Sequence, residues 1–99
     1  MDNILLGQLG AKGDCLYATI LARQLRHDYP DAKITWAIFE GNADLLANNP
    51  HIDEIWPVPL SDRSQTAAIW QVFEREAMRR VIGKEFDRIV FSQINPNNL

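Results

Sequence analysis

Hydrophobic residues in this chain recur at two different periods, and the two periods alternate along its length. Asn3-Ile4-Leu5-Leu6-Gly7-Gln8 is a short apolar run ended by glycine, the pattern of a buried strand. From Asp14 the spacing becomes helical: Leu16, Tyr17, Ile20, Leu21 and Leu25 form the expected inner face, with Arg23, Arg26 and Asp28 opposite, and Pro30-Asp31 stops the helix. Lys33 to Phe39 is β-branched and aromatic and apolar on both faces, as a central strand of a parallel sheet is. A short helix over Gly41–Asn49, a strand over Glu54–Val58, a long helix from Ser64 to about Gly83 and a strand over Arg88–Ser92 complete the series. The long helix carries a core stripe of Ile69, Trp70, Phe73, Ala77 and Val81.

Strand–helix alternation of this kind builds βαβ units, hence an α/β fold with a mainly parallel sheet covered on both faces. Right-handed crossovers leave few topologies. Pro57 and Pro59 cannot donate to a sheet ladder, which puts the third strand at an edge. A doubly wound, Rossmann-like sheet of order 3-2-1-4 satisfies that condition. The fourth strand then forms the other edge, although Ile89, Val90 and Phe91 are apolar for such a place. The sheet is therefore expected to continue past Leu99, or the bare edge to pair with a second copy of the chain.

With 99 residues, one core and one domain are what the chain can build. Net charge is -3, which argues against a nucleic-acid partner. A single cysteine excludes an intrachain disulfide framework, and His27 and His51 lack metal-ligand spacing, so no metal site is expected. No apolar stretch approaches the ~18 residues of a membrane span, and Met1-Asp2-Asn3 has an acidic residue where a signal peptide carries lysines. A cytoplasmic protein is the expectation.

Ligands of open parallel sheets bind beyond the carboxyl ends of the strands, where the strand order reverses. Here that crevice lies between the first and fourth strands. Gly7-Gln8-Leu9-Gly10-Ala11-Lys12-Gly13-Asp14 leaves the first strand and enters a helix there. A phosphate-binding P-loop is rejected, because Lys12 precedes Gly13 and Asp14 follows it. A dinucleotide fingerprint is weakened, because Gln8 stands where its first glycine belongs, although Glu40 at the end of the second strand is placed to hold a ribose.

Ile4-Leu5-Leu6, Leu9-Gly10-Ala11-Lys12-Gly13-Asp14, Tyr29-Pro30-Asp31-Ala32-Lys33-Ile34-Thr35-Trp36 and Asn49-Pro50-His51-Ile52-Asp53-Glu54-Ile55 together resemble the start of the ADP-heptose:lipopolysaccharide heptosyltransferase family. A weaker likeness continues through Phe86-Asp87-Arg88-Ile89-Val90. The resemblance implies a GT-B glycosyltransferase, built of two Rossmann-like domains. Residues 1–99 match part of the N-terminal, acceptor-side domain, and the donor-binding domain has no counterpart. It implies no cofactor, since the nucleotide-sugar is a substrate held mainly by the other domain, and this span alone is expected to be inactive. The implied partner is a sugar or lipopolysaccharide-core acceptor, with the full-length protein lying peripherally at the inner face of the membrane.

The family's general base corresponds to Asp14. A displacement at an anomeric carbon needs one carboxylate to take the acceptor's hydroxyl proton. An Asp at this place is equally a favoured helix N-cap, and a helix N-terminus weakens it as a base unless apolar burial offsets that effect. Acceptor-binding candidates are Gly10 and Gly13, through their backbone, and Lys12, through an acidic acceptor group. Gln93 and Asn95, with Ser92, stand across the crevice and can bond sugar hydroxyls. Cys15, Trp36 and Trp70 read as core, Trp56 as the one aromatic free to stack on a sugar, and Arg79 with Arg80 as cations for an anionic acceptor or as a solvated helix face. The reading from another class is a non-catalytic Rossmann-like nucleotide-binding or interaction module.

Overall fold

The computed structural model describes residues 2–10, 12–59 and 63–91, with the backbone alone for Lys12 and Arg63. Strand β1 (Asn3–Gly7) leads to helix α1 (Lys12–Asp28), then to β2 (Lys33–Phe39) and a 3₁₀ helix over Glu40–Leu46. Strand β3 (Glu54–Val58) follows, then a 3₁₀ turn at Arg63–Gln65 running into α2 (Thr66–Ile82), and last β4 (Arg88–Phe91). Among the described residues all pairings are parallel, and the order is β3-β2-β1-β4. Pro57 lies on the edge strand opposite Ile38, as its missing N–H requires.

Two cores sandwich the sheet. Ile4, Leu6, Ile34, Trp36 and Ile38 meet α1 on one face, while Leu5, Ala37, Phe39 and Val58 meet Trp70, Phe73 and Ala77 of α2 on the other. The stripe expected on α2 is the one it buries. That expected on α1 is buried only in its later part: Leu21 and Leu25 pack on the core, but in the first turns Cys15 and Ala18, and then Ala22, face the sheet while Leu16, Tyr17 and Ile20 point outward, 56%, 79% and 63% exposed. The first turns of α1 are apolar on every side, so periodicity alone does not choose a face. The bulk of Trp36, fully buried beneath the helix, favours the small residues there.

The segment expected as a short helix over Gly41–Asn49 is a 3₁₀ helix over Glu40–Leu46 that seals the first core with Leu46. At the end of α2, Gly83 (φ -76°) is not the left-handed residue; Lys84 is, with φ 63°. Lys84 N–H donates to Val81 O at 2.9 Å and Glu85 N–H to Arg80 O at 2.8 Å, the two bonds of a Schellman cap. A side chain in this conformation costs roughly 1–2 kcal/mol, against ~0.5–1 kcal/mol for the entropy of a glycine. Lys84→Gly is therefore expected to raise stability by about 0.5–1 kcal/mol, read from the urea midpoint. An unchanged midpoint contradicts the cap.

At the amino end of the sheet, Arg26 of α1 ties three segments together. Its guanidinium donates to Pro30 O (3.2 Å), Ala32 O (2.6 Å), His51 O (3.1 Å) and Asp53 Oδ2 (2.6 Å). The same Asp53 oxygen accepts the Ile34 N–H at 2.8 Å. Burial pushes the Asp53 carboxyl up, but the Ile34 amide and the Arg26 guanidinium outweigh it and hold it below the usual carboxylate range. Both the Tyr-Pro-Asp-Ala turn and the Asn-Pro-His-Ile-Asp segment end in this clamp.

Candidate functional site

The polypeptide leaves β1 without leaving the sheet at once. Gln8 N–H donates to Ala37 O at 3.2 Å and Phe39 N–H to Leu9 O at 2.8 Å, so the loop runs on beside β2. Gln8, considered in the sequence only as a departure from a glycine motif, organises this stretch. It is 3% exposed, and its side-chain amide donates to Gly10 O at 2.8 Å. Its own carbonyl accepts from the Trp36 indole at 3.0 Å and from the Cys15 thiol at 3.6 Å. A dinucleotide loop keeps a glycine where this glutamine closes the turn from inside. The signal was present as one amide inside the apolar run Leu6 to Leu9.

Of the three glycines, two hold their places by close approach, and none that is described has positive φ. A Cβ on Gly7 would lie 2.5 Å from the Phe91 ring of β4, and one on Gly10 would lie 3.0 Å from Phe39 and 3.4 Å from Asn42. A Cβ on Gly13 meets nothing within 4 Å. Gly13 is thus not required by backbone conformation or by packing within the described residues, which corrects the conformational role expected of it. Gly10→Ala is expected to cost about 1–2 kcal/mol, because Phe39 is buried and cannot yield freely. Gly13→Ala, at an exposed helical position, is expected to be neutral or slightly stabilising. Thermal midpoints of the two variants distinguish the roles.

Helix α1 begins at Lys12, two residues earlier than expected, so Asp14 lies within its first turn and not at the N-cap. The carboxylate still faces the positive end of the helix, is exposed, and stands where strand order reverses between β1 and its neighbours β2 and β4. Next to it Cys15 is fully buried, and burial, with a smaller contribution from Asp14, pushes its thiol up to about 11. It is inert at neutral pH.

The structure brings Gly10, Gly13 and Asp14 together at this corner, with Lys12 as the first residue of α1. The Lys12 side chain and Ser92, Gln93 and Asn95 lie outside the described residues. Two other expectations change. One face of Trp56 carries the Arg80 guanidinium, 4.1 Å from the ring centroid, and its edge meets Phe73 at 5.1 Å. Arg79 and Arg80 both bond Glu76, at 2.7 Å and 3.0 Å, and hold its carboxyl down at about 2. Glu76 within α2 and Glu85 after it, 3.6 Å from Arg80, together match their charge, which leaves little for an anionic acceptor. Among the described residues, no three His, Cys, Asp or Glu side chains gather into a metal-binding group, and no helix is long and apolar enough to cross a membrane.

No protein-family model matches the chain, and no curated protein matches it significantly. Among solved structures it is similar to a glycosyl transferase family 9 protein from Veillonella parvula DSM 2008, with a TM-score of 0.73 and 25% identity. The match covers 95% of this chain and 26% of that one, so the chain spans about a quarter of the structure it resembles. The order 3-2-1-4, the parallel register and this likeness together make the chain a Rossmann-like α/β unit of glycosyltransferase type.

Proposed function

We propose that this chain is the acceptor-side part of an inverting glycosyltransferase, moving a heptose-like sugar from a nucleotide-sugar to a lipopolysaccharide-type acceptor. One observation carries the reading: an exposed Asp14 in the first turn of α1, at the strand-order switch of a sheet similar to a glycosyltransferase. In this reading the acceptor hydroxyl attacks the anomeric carbon, its proton passes to the Asp14 carboxylate, and the nucleotide leaves with the electron pair of the broken C–O bond. The open space over Gly13 admits the acceptor to the helix end. Lys12 pairs with an acidic group of the acceptor, while Gln93 and Asn95 bond its hydroxyls.

The donor belongs to a second Rossmann-like domain outside these residues, so the 99 residues alone transfer nothing, and no cofactor is needed. Among the described residues β4 pairs only with β1, and a further strand of the same domain, or a second copy, completes that edge. The full-length enzyme works in the cytoplasm at the inner face of the membrane. Turnover of a protein carrying both domains, against its Asp14→Asn variant, tests the reading.

A further inference from the structure

A groove of about 480 Å³ opens at the amino end of the sheet, beside the last turns of α2. It lies at the opposite end of the strands from Gly10 and Asp14, on the order of 20 Å away along the seven residues of β2. Alternate residues of a strand share a face, so Lys33 and Thr35 point the same way as Ala37. The register sets Thr35 beside Glu54 and Ala37 beside Trp56. Above them α2 supplies Arg80, and Glu85 follows its cap.

Two features distinguish this groove from an ordinary surface hollow. Thr35 is 5% exposed and lines it, its hydroxyl open to the groove and bonded to no described residue. An apolar ligand that covered it would strip its water and return no hydrogen bond. The charged groups are already engaged: Lys33 Nζ lies 2.9 Å from Glu54, and Arg80, its guanidinium resting on Trp56, bonds Glu76 outside the lining at 3.0 Å and lies 3.6 Å from Glu85. The lining charge of Lys33, Arg80, Glu54 and Glu85 therefore sums to zero. A charged ligand has to break one of those pairs, and an apolar ligand leaves the Thr35 hydroxyl unanswered. Hydroxyls meet both demands, accepting from the cations and Thr35 and donating to the carboxylates.

We propose that the amino-end groove is a second binding site, for a neutral, hydroxyl-rich ligand of the saccharide class. It is separate from the Asp14 corner and does not depend on the function assigned there. Three tryptophans are present, and Trp36 and Trp70 are fully buried, so acrylamide quenching of the 99-residue chain reports Trp56. Maltose and lactose are the probes, with glucose 6-phosphate as the charged control, each to about 50 mM, where a ~1 mM site is saturated.

The expected result is saturable protection of Trp56 by at least one disaccharide and weaker protection by the phosphate. Amide shifts should centre on Thr35, Glu54 and Arg80, and leave Gly10, Gly13 and Asp14 in place. Thr35→Val should weaken binding at least tenfold without lowering the thermal midpoint, and Glu54→Gln should weaken it as well. The proposal is overturned by no saturable effect of either disaccharide, by unchanged binding in Thr35→Val, or by shifts confined to the Asp14 corner.

Discussion

Asp14→Asn is expected to reduce turnover of the two-domain enzyme by roughly 10²–10⁴ while donor affinity and fold stay close to those of the parent. Asparagine keeps the size of the side chain and removes the proton acceptor. Because Asp14 lies inside the first turn, the structural price of the change is the lost attraction between a carboxylate and the helix dipole, about 0.3–1 kcal/mol. A helix-stabilising role therefore predicts a small fall in Tm and unaltered catalysis, and a general base predicts the reverse weighting. Thermal midpoint, donor binding and kcat on one variant separate the two. Turnover within a few-fold of the parent removes Asp14 from the mechanism.

Asp14 is exposed in the first turn of α1, so the proposed reaction requires that the acceptor or the second domain exclude water from this corner. Activity of the complete enzyme should therefore depend on closure as well as on Asp14, because proton abstraction strengthens as water leaves the site.

How much of this was legible beforehand differs from element to element. Strand–helix alternation and the position of Pro57 sufficed for the order 3-2-1-4, because a proline without an N–H leaves few places in a sheet. On α1 the later part of the inner face, Leu21 and Leu25, was legible, but its first turns were not, since Leu16, Tyr17 and Ile20 match helical spacing as well as Cys15, Ala18 and Ala22 do. Only the volume of Trp36 on the neighbouring strand decides between them. Gln8 was read for what it is not, a glycine, although its buried amide braces the candidate site. The motifs that carried the family resemblance divide in the structure: Gly10 to Asp14 form the candidate site, and the Pro30–Ala32 turn with Asp53 forms a clamp at the far end.

That clamp gives the largest expected loss of stability. Arg26→Met keeps the aliphatic stem and removes four hydrogen bonds, leaving the Pro30, Ala32 and His51 carbonyls without that donor and the Asp53 carboxylate with the Ile34 N–H alone. Ala32 is buried, so water replaces that bond poorly. The expected cost is about 2–3 kcal/mol, a fall in Tm on the order of 10–20 °C for a domain of this size. The acid limb supplies an independent check. A carboxyl held down in the folded state adds stability that is complete above its unfolded value, about 3.9, and is lost as pH falls through the lower folded value. Arg26→Met relieves part of that depression, so its stability should fall less steeply than the parent's below about pH 4. Glu76 titrates in the same region, but its partners Arg79 and Arg80 are intact in both proteins, and its effect cancels in the difference. Parallel acid limbs, or a midpoint within a degree or two of the parent, would show that Arg26 is not what joins α1 to the start of β3.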